Sequence, residues 1–307
     1  MRRKKKIKLR VKRVFLFLAA CMAAAALCLG VKVYSEVGST TKAIHKSIEQ
    51  SDMRKGKVDV NEKHPFSVLL AGVDERKGDT GRSDSLIVVT VNPEKNTTKM
   101  LSIPRDTRTE IIGHHTVDKI NHAYAFGGIQ MTIDSVENLL DIPIDYYVQV
   151  NMQGFKDIVD SVGGVTVSND FEFTYKGVHF AKGTISLTGY DALIYTRMRH
   201  EDPRGDFGRQ LRQRKVIKAI VSEGTKVHTL THYDEIMNAI KGNIKTNLTL
   251  NEMLEIQKNY KDAARSIQEL QLHGETQKIE GLDYQIVSPK ERDEVSSVLR
   301  GHLQLKH

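Results

Sequence analysis

Cysteine is almost missing from this 307-residue chain, and the two that occur, Cys21 and Cys28, fall inside one apolar run near the amino terminus. Everything after that run is built without disulfides, which excludes a stapled miniature fold. Several catalytic signatures are missing too. Neither G-x-x-x-x-G-K-[ST] nor G-x-G-x-x-G occurs, so the two common nucleotide loops are absent. No G-x-S-x-G elbow and no H-E-x-x-H pair is present. The twelve histidines lack zinc-type spacing, and His114 and His115 are simply adjacent. Ser39-Thr40-Thr41-Lys42 fits S-x-x-K, but no K-T-G follows it, so the match reads as chance. No internal repeat or low-complexity stretch points to a solenoid or a linker array.

Acidic residues are absent from the first 34 positions, which carry ten basic groups. Residues 1–13 form a basic tail, and Val14 to Val31 then runs eighteen residues without a charge. About 20 apolar residues in a helix cross a bilayer's hydrocarbon, so residues 14–34 read as a transmembrane helix, with Lys32 snorkelling and Tyr34 at the interface. The positive-inside rule keeps the tail cytoplasmic and places the remainder outside, a single-pass, N-in arrangement in a cell membrane. Cleavage is the rival reading. Leu18-Ala19-Ala20-Cys21 resembles a lipoprotein box, but only seven apolar residues precede Cys21 and ten follow it in the run. An exported chain without disulfides suits a Gram-positive-type cell. The net charge of +8 comes from the tail: beyond residue 34 there are 36 basic and 38 acidic groups. The high pI therefore gives no support to nucleic-acid binding.

Residues 35–61 are polar and of mixed charge, and read as an extracellular stalk. Residues 62–307 are long enough for one sizeable core. Strand patterns cover Phe66–Val73, Ser85–Val91, Lys99–Ile103 and Tyr146–Val150, and a hairpin is expected over Phe171–Phe180. Helix patterns cover Gly128–Leu140, Met152–Val162, Leu187–Thr196 and Gly208–Glu223, with one or two more in Leu248–Leu272 and a last over Asp293–Leu305. This alternation predicts an α/β (α+β) sandwich, a central mixed β-sheet flanked by helices.

Between Arg197 and Arg214 the chain carries six arginines and no lysine, although lysine is the commoner residue overall. A planar guanidinium fits two phosphate oxygens at once and lysine does not, so this switch points to phosphate or carboxylate recognition. A helix face laced with exposed ion pairs explains it equally well, and both readings stay open here. Asp74 follows a buried strand directly, and Gly81-Arg82-Ser83-Asp84-Ser85 opens the next. If those strands are neighbours, Asp74, Arg82 and Asp84 meet at one sheet edge, near Arg105 and Asp106 beyond Pro104. Two carboxylates among arginines suit a divalent cation together with an anion. Plain strand-end ion pairs are the alternative.

The ordered motifs Gly72-Val73-Asp74, Gly81-Arg82-Ser83-Asp84-Ser85, Ser102-Ile103-Pro104-Arg105-Asp106-Thr107, Lys119 to Tyr124, Val162 to Val165, Tyr195-Thr196-Arg197-Met198-Arg199 and Asp206 to Gln213 resemble the LytR–CpsA–Psr family over residues 66–217. The teichoic-acid-attaching members are the nearest in pattern. The resemblance implies an extracellular phosphotransferase. It would move an anionic glycopolymer, wall teichoic acid first among them, from an undecaprenyl-pyrophosphate carrier to the 6-hydroxyl of N-acetylmuramic acid in peptidoglycan. It implies Mg²⁺, with Mn²⁺ as the substitute, on Asp74 and Asp84. Arg82, Arg105, Lys119, Arg197, Arg199 and Gln213 would surround the pyrophosphate. Arg82, Arg105, Arg197, Arg199 and Asp206 would carry catalysis, with Asp206 or Asp84 accepting the hydroxyl proton. Asp106, Arg209 and Arg212 lie in matching motifs without an assigned role. The expected partners are the lipid-linked donor, peptidoglycan and the membrane, with no nucleic acid. Two other functions fit the same residues: hydrolysis of a polyprenyl-pyrophosphate lipid, and a non-catalytic membrane-bound regulator.

Overall fold

Strand β1 (Phe66–Val73) is almost wholly buried, as its apolar run, interrupted only by Ser67, requires. Such a strand must be covered on both faces. Leu69, Ala71 and Val73 pack into one apolar cluster, and Phe66 and Val68 into another on the opposite face. In the computed structural model, residues 39–75, 81–224 and 241–305 are described. The chain divides into two compact units, residues 1–43 and 44–307, and the fold below is that of the second. The basic tail and the expected membrane span lie outside the described residues.

The central sheet has six strands in the order β11–β6–β1–β2–β3–β12. They are β2 (Ser83–Asn92), β3 (Thr97–Ile103), β6 (Tyr146–Asn151), β11 (Ile244–Thr246) and β12 (Ile267–Gln271), with β1 among them. Strand β2 runs antiparallel to β1 and β3, β6 runs parallel to β1, and β12 runs parallel to β3. The sheet is mixed, as expected. Its topology brings the carboxyl ends of β1, β3 and β6 and the start of β2 to one edge.

Helices α1 (His122–Leu140) and α6 (Pro289–Leu303) cover one face. Ile129, Ile133, Val136, Leu140, Leu299 and Leu303 meet Leu86, Val88 and Leu101 there. The sequence pattern starts α1 at Gly128, but it begins six residues earlier and breaks at Gly127–Gly128, where Gly128 takes φ 67°. On the other face sits a second layer: α2 (Met152–Ser161), α3 (Gly189–Arg197), α4 (Asp206–Gly224), and the small pairs β7 (Val165–Asn169) with β10 (Gly183–Leu187) and β8 (Phe173–Tyr175) with β9 (Val178–Phe180). Its own apolar cluster is built around Val159, Val165, Tyr195, Met198 and Val216.

One expectation changes. The stretch 44–61, read as stalk, is packed chain: His45 bridges to Thr246, and Val58 and Val60 are buried against Phe66, Tyr146 and Tyr260. Two valines are too few to show a period, yet they cover a tyrosine pair. The segment 248–272 holds one α-helix, α5 (Leu250–Asn259), within the expected one or two, followed by a short 3₁₀ turn and the unexpected strand β12. The open edge of β3 recruits Ile267-Gln-Glu-Leu-Gln as a strand, a tertiary choice with no strong local signal. The hairpins β4 (Arg108–Ile111) with β5 (Thr116–Lys119) and β13 (Glu275–Ile279) with β14 (Leu282–Ile286) were not expected either.

Two buried titratable groups lean opposite ways. His302, 2% exposed, accepts or donates between Thr90 Oγ1 at 2.7 Å and Thr97 Oγ1 at 2.9 Å. Burial, helped by the charges of Lys99 and Lys95, holds its imidazole down at about 4. Burial raises the Glu137 carboxyl to about 7, against hydrogen bonds from the Ile144 N–H and the Ser51 hydroxyl. Between about pH 4.5 and 6.5 the unfolded chain binds the extra proton at His302 and the folded chain at Glu137. His302 therefore makes stability rise with pH in that window, and Glu137 makes it fall. Urea unfolding across the window should show the slope of stability against pH dropping by up to about 1.4 kcal/mol per unit in His302→Gln and rising by a similar amount in Glu137→Gln.

Candidate active site

A cavity of about 450 Å³ lies between the sheet and the α2–α3–α4 layer. Its inner wall is apolar: Leu70, Ile87, Val148 and Val150 from the sheet face Phe155, Ile158, Leu193, Ile217 and Ile220 from the helices. At the strand-end edge the lining turns polar, with Asp74, Asp84, Arg105, Arg197, Arg199, Arg209 and Gln213.

Asp74 reaches the cavity by simple alternation, since Leu70, Gly72 and Asp74 share the face opposite Leu69, Ala71 and Val73. Asp84 does not. It shares parity with the core residues Leu86 and Val88, which would turn it away. A β-bulge changes this: Gly72 pairs with Ser85 and Val73 with Ser83, which leaves Asp84 as the extra residue. A bulge re-aims a side chain, and both Asp84 and Ser85 border the cavity. Gly81 sits close by with φ +74°, and a Cβ there would lie 2.6 Å from the Asp74 carbonyl oxygen. Only glycine lets the returning chain approach Asp74 so closely.

Arg105 donates from Nη1 to Asp84 Oδ1 at 2.7 Å, and its Nε lies 3.7 Å from Asp106 Oδ2. Burial alone would lower the Arg105 pKa, but Asp84, Asp106 and Asp206 outweigh it and raise it. Arg209 is 8% exposed and shifts the other way: burial dominates, and repulsion from Arg105 and Arg199 offsets attraction to Asp206 and Asp84. It remains charged, since arginine does not give up its proton in proteins. The Nε groups of Arg105 and Arg209 are buried without a hydrogen-bond partner among the described residues. Buried donors without acceptors are costly, and an anionic ligand in the cavity would satisfy them.

Helix geometry explains the spacing of Arg197 and Arg199. Arg197 occupies the last turn of α3, where a cation suits the helix dipole. Met198 then turns extended and buries its side chain, which leaves the arginines on either side of it along the cavity. Arg197 Nη1 contacts Met152 Sδ at 2.8 Å and has no carboxylate partner among the described residues. Asp206 opens α4, pairs with Arg209 Nη2 at 2.7 Å and lies 3.8 Å from Arg199 Nε. Ser85 donates to Gln213 Oε1 at 3.1 Å.

The other three arginines of the cluster have a different task. Arg212, 1% exposed, donates to the Asp202 carboxylate and to the carbonyls of Tyr195 and Met198. Arg204 grips the same carboxylate at 3.0 Å. Burial would raise the Asp202 carboxyl, but the hydrogen bonds from Arg204 and Arg212 hold it at about 2. Arg214 ties α4 to the sheet through Ser102 Oγ and Glu269, both at 2.8 Å.

A family pattern, LytR_cpsA_psr, matches residues 31–301. The chain belongs to the LytR_cpsA_psr family. It is 50% identical over 272 residues to the polyisoprenyl-teichoic acid–peptidoglycan teichoic acid transferase TagU of Bacillus subtilis strain 168, covering 89% of each chain. The crystal structure of B. subtilis TagU superposes with a TM-score of 0.65 at 47% identity, covering 80% of this chain and 99% of that one. A structure of TagT bound to LI-WTA gives 0.72 at 34% identity, covering 85% and 100%.

Within this family fold, Asp74, Asp84, Arg105, Arg197, Arg199 and Gln213 converge on one cavity. Arg82 is exposed and does not border it; its backbone carbonyl accepts from the Asp74 N–H at 3.1 Å. Lys119 and Asp206 stand one step behind: Lys119 holds Asp106, the neighbour of Arg105, and Asp206 holds Arg209. The sequence assigned no role to Arg209, which lines the cavity, and gave no sign of the Ser85–Gln213 bond. The i, i+3 spacing of Asp206 and Arg209 was the available clue to the first. Removing the buried Arg212 guanidinium leaves Asp202 with Arg204 alone and the carbonyls of Tyr195 and Met198 without that donor. Arg212→Ala should therefore lose about 3–5 kcal/mol in urea unfolding, whereas Arg197→Ala should stay within about 0.5 kcal/mol of the parent.

Proposed function

We propose that this chain is a phosphotransferase of the exterior cell surface that moves teichoic acid from a polyprenyl-pyrophosphate carrier to peptidoglycan. The observation that carries this reading is the two-part cavity, an apolar pocket that opens onto four arginines and two aspartates. A pyrophosphate ester of a long isoprenoid has that same division, an uncharged chain joined to a concentrated anion. TagU of B. subtilis, 50% identical over 272 residues, is named as a polyisoprenyl-teichoic acid–peptidoglycan teichoic acid transferase. The basic, acid-free amino terminus followed by the uncharged run at residues 14–31 supports a membrane anchor. Such an anchor would hold the enzyme in the plane of its lipid-linked donor.

The residues fit a hard divalent cation. Asp74 and Asp84 border the cavity at adjacent strand ends, and the described residues hold no cluster of three or more acidic, histidine or cysteine ligands. Mg²⁺ takes one or two carboxylates and completes its shell with waters and phosphate oxygens, and Mn²⁺ accepts the same oxygen ligands. Bound there, the cation would neutralise charge on the phosphate oxygens. Arg105, Arg197, Arg199 and Arg209 would donate to the remaining oxygens and stabilise the charge that grows on them in the transition state. The 6-hydroxyl of N-acetylmuramic acid attacks the polymer-side phosphorus. The bond from that phosphorus to the bridging oxygen breaks, and the carrier leaves as its monophosphate. The hydroxyl proton needs an acceptor at the cavity mouth. Of the two carboxylates considered, Asp84 lines the cavity but would be shared by the cation and Arg105, whereas Asp206 positions Arg199 and Arg209.

Arg105→Ala and Asp84→Ala should fold normally yet lower transfer at least about a hundredfold, as removal of a group that stabilises developing charge does. The measurement is incorporation of labelled polymer into isolated peptidoglycan. Wild-type rates in both variants would remove the assignment. Release of free polymer without peptidoglycan, at the same rate as transfer, would point instead to hydrolysis.

A further inference from the structure

We infer that Tyr284, on the carboxy-terminal hairpin β13–β14, is a positioning residue for Arg105. The inference rests on the reading of Arg105 as a phosphate-binding group. The loop that presents Arg105 is held carbonyl by carbonyl. Pro104 O accepts from the Thr107 N–H at 3.0 Å, Arg105 O from Asn121 at 3.2 Å, Asp106 O from Gln285 at 2.9 Å and Thr107 O from Ile120 at 2.9 Å. Three of these tethers are local to residues 104–121. The fourth comes from β14, more than 150 residues away, where Thr107 and Gln285 also form an isolated parallel bridge.

The side chains repeat the connection. The Tyr284 ring, 9% exposed, lies under the Lys119 ammonium at 5.4 Å, and its hydroxyl donates to Asp118 Oδ1 at 3.2 Å. Lys119 Nζ holds Asp106 Oδ1 at 3.0 Å. The other oxygen of Asp106 lies 3.7 Å from Arg105 Nε, and Arg105 reaches Asp84 at 2.7 Å. A lysine has four rotatable bonds, and an aromatic face beside its ammonium narrows where that charge rests. Tyr284 thereby fixes Lys119, Lys119 fixes Asp106, and Asp106 limits the swing of the guanidinium that meets the phosphate. A misplacement far from the reacting atoms is enough to slow a reaction that depends on alignment. The hairpin lies outside residues 66–217, where the motifs fall, and its strands are mostly exposed, so nothing in its composition announces this task.

The test uses the full chain, a polyprenyl-pyrophosphate-linked teichoic acid donor and isolated peptidoglycan, with circular dichroism to confirm the folded fraction. Tyr284→Leu should lower kcat about fivefold while leaving the donor KM within about twofold. Tyr284→Phe keeps the ring beside Lys119 and should stay within about twofold of wild type. If the leucine variant does not fold, Tyr284→Met removes the ring with a longer side chain and carries the same expectation. A ring-less variant with wild-type kcat, or equal losses in the phenylalanine and ring-less variants, overturns the inference. Arg105→Ala is measured alongside. If it is inactive while Tyr284→Leu is unimpaired, only the inference falls; if Arg105→Ala keeps the wild-type rate, the reading of the site falls with it.

Discussion

One buried guanidinium sets the corner on which the cavity depends. Arg212 donates to the end of α3 through the Tyr195 carbonyl, to the extended residue Met198 and to the Asp202 carboxylate of the following loop. The rings of Phe173 and Tyr195 lie 5.5 and 5.8 Å from its carbon centre. A charge so removed from water is tolerated only when every donor is answered, so few arrangements of this corner are allowed. Arg197 and Arg199 ride on the segment it pins, and Arg209 lies one helical turn before it. The orientation of three cavity arginines thus follows from a fourth that does not line the cavity.

The sheet edge imposes a second constraint, and the two fit together. Asp74 arrives by strand alternation, whereas Asp84 arrives through a bulge. Without that bulge the acid would face Leu86 and Val88 in the core. The pair Arg105–Asp84 then joins a loop after β3 to the start of β2, while Ser85 and Gln213 join β2 to α4. Charges of both signs are shared around the cluster, so the arginines sit close together before any anion arrives.

The sequence patterns captured the central strands because β1, β2, β3 and β6 are covered on both faces and carry dense β-branched or apolar runs. The cavity-lining acids and most of its arginines were legible too, since they follow those strands or sit in one unusual arginine-rich segment. What stayed hidden lacks a local signal. β12 forms because β3 has an open edge, and β13–β14 is largely polar, with Glu280 and Gly281 at positive φ as its only turn marker. The even choice between phosphate recognition and ion pairing for Arg197 to Arg214 had no single answer: three of the six arginines line the cavity, and the other three hold the frame. Composition could not separate them, because what distinguishes them is where the fold places each side chain.

The apolar wall of the cavity bears on how a catalytic cycle would end. On the proposed reading, donor and spent carrier have the same hydrocarbon tail and differ only at the head. Leu70, Ile87, Phe155 and Ile217 would grip the tail equally before and after transfer. Chemistry at the head weakens only the polar part of the attachment, so the used lipid would not leave into water, where its chain is insoluble. Its exit would need a second greasy phase within reach, and lateral escape into the bilayer would set the pace of turnover.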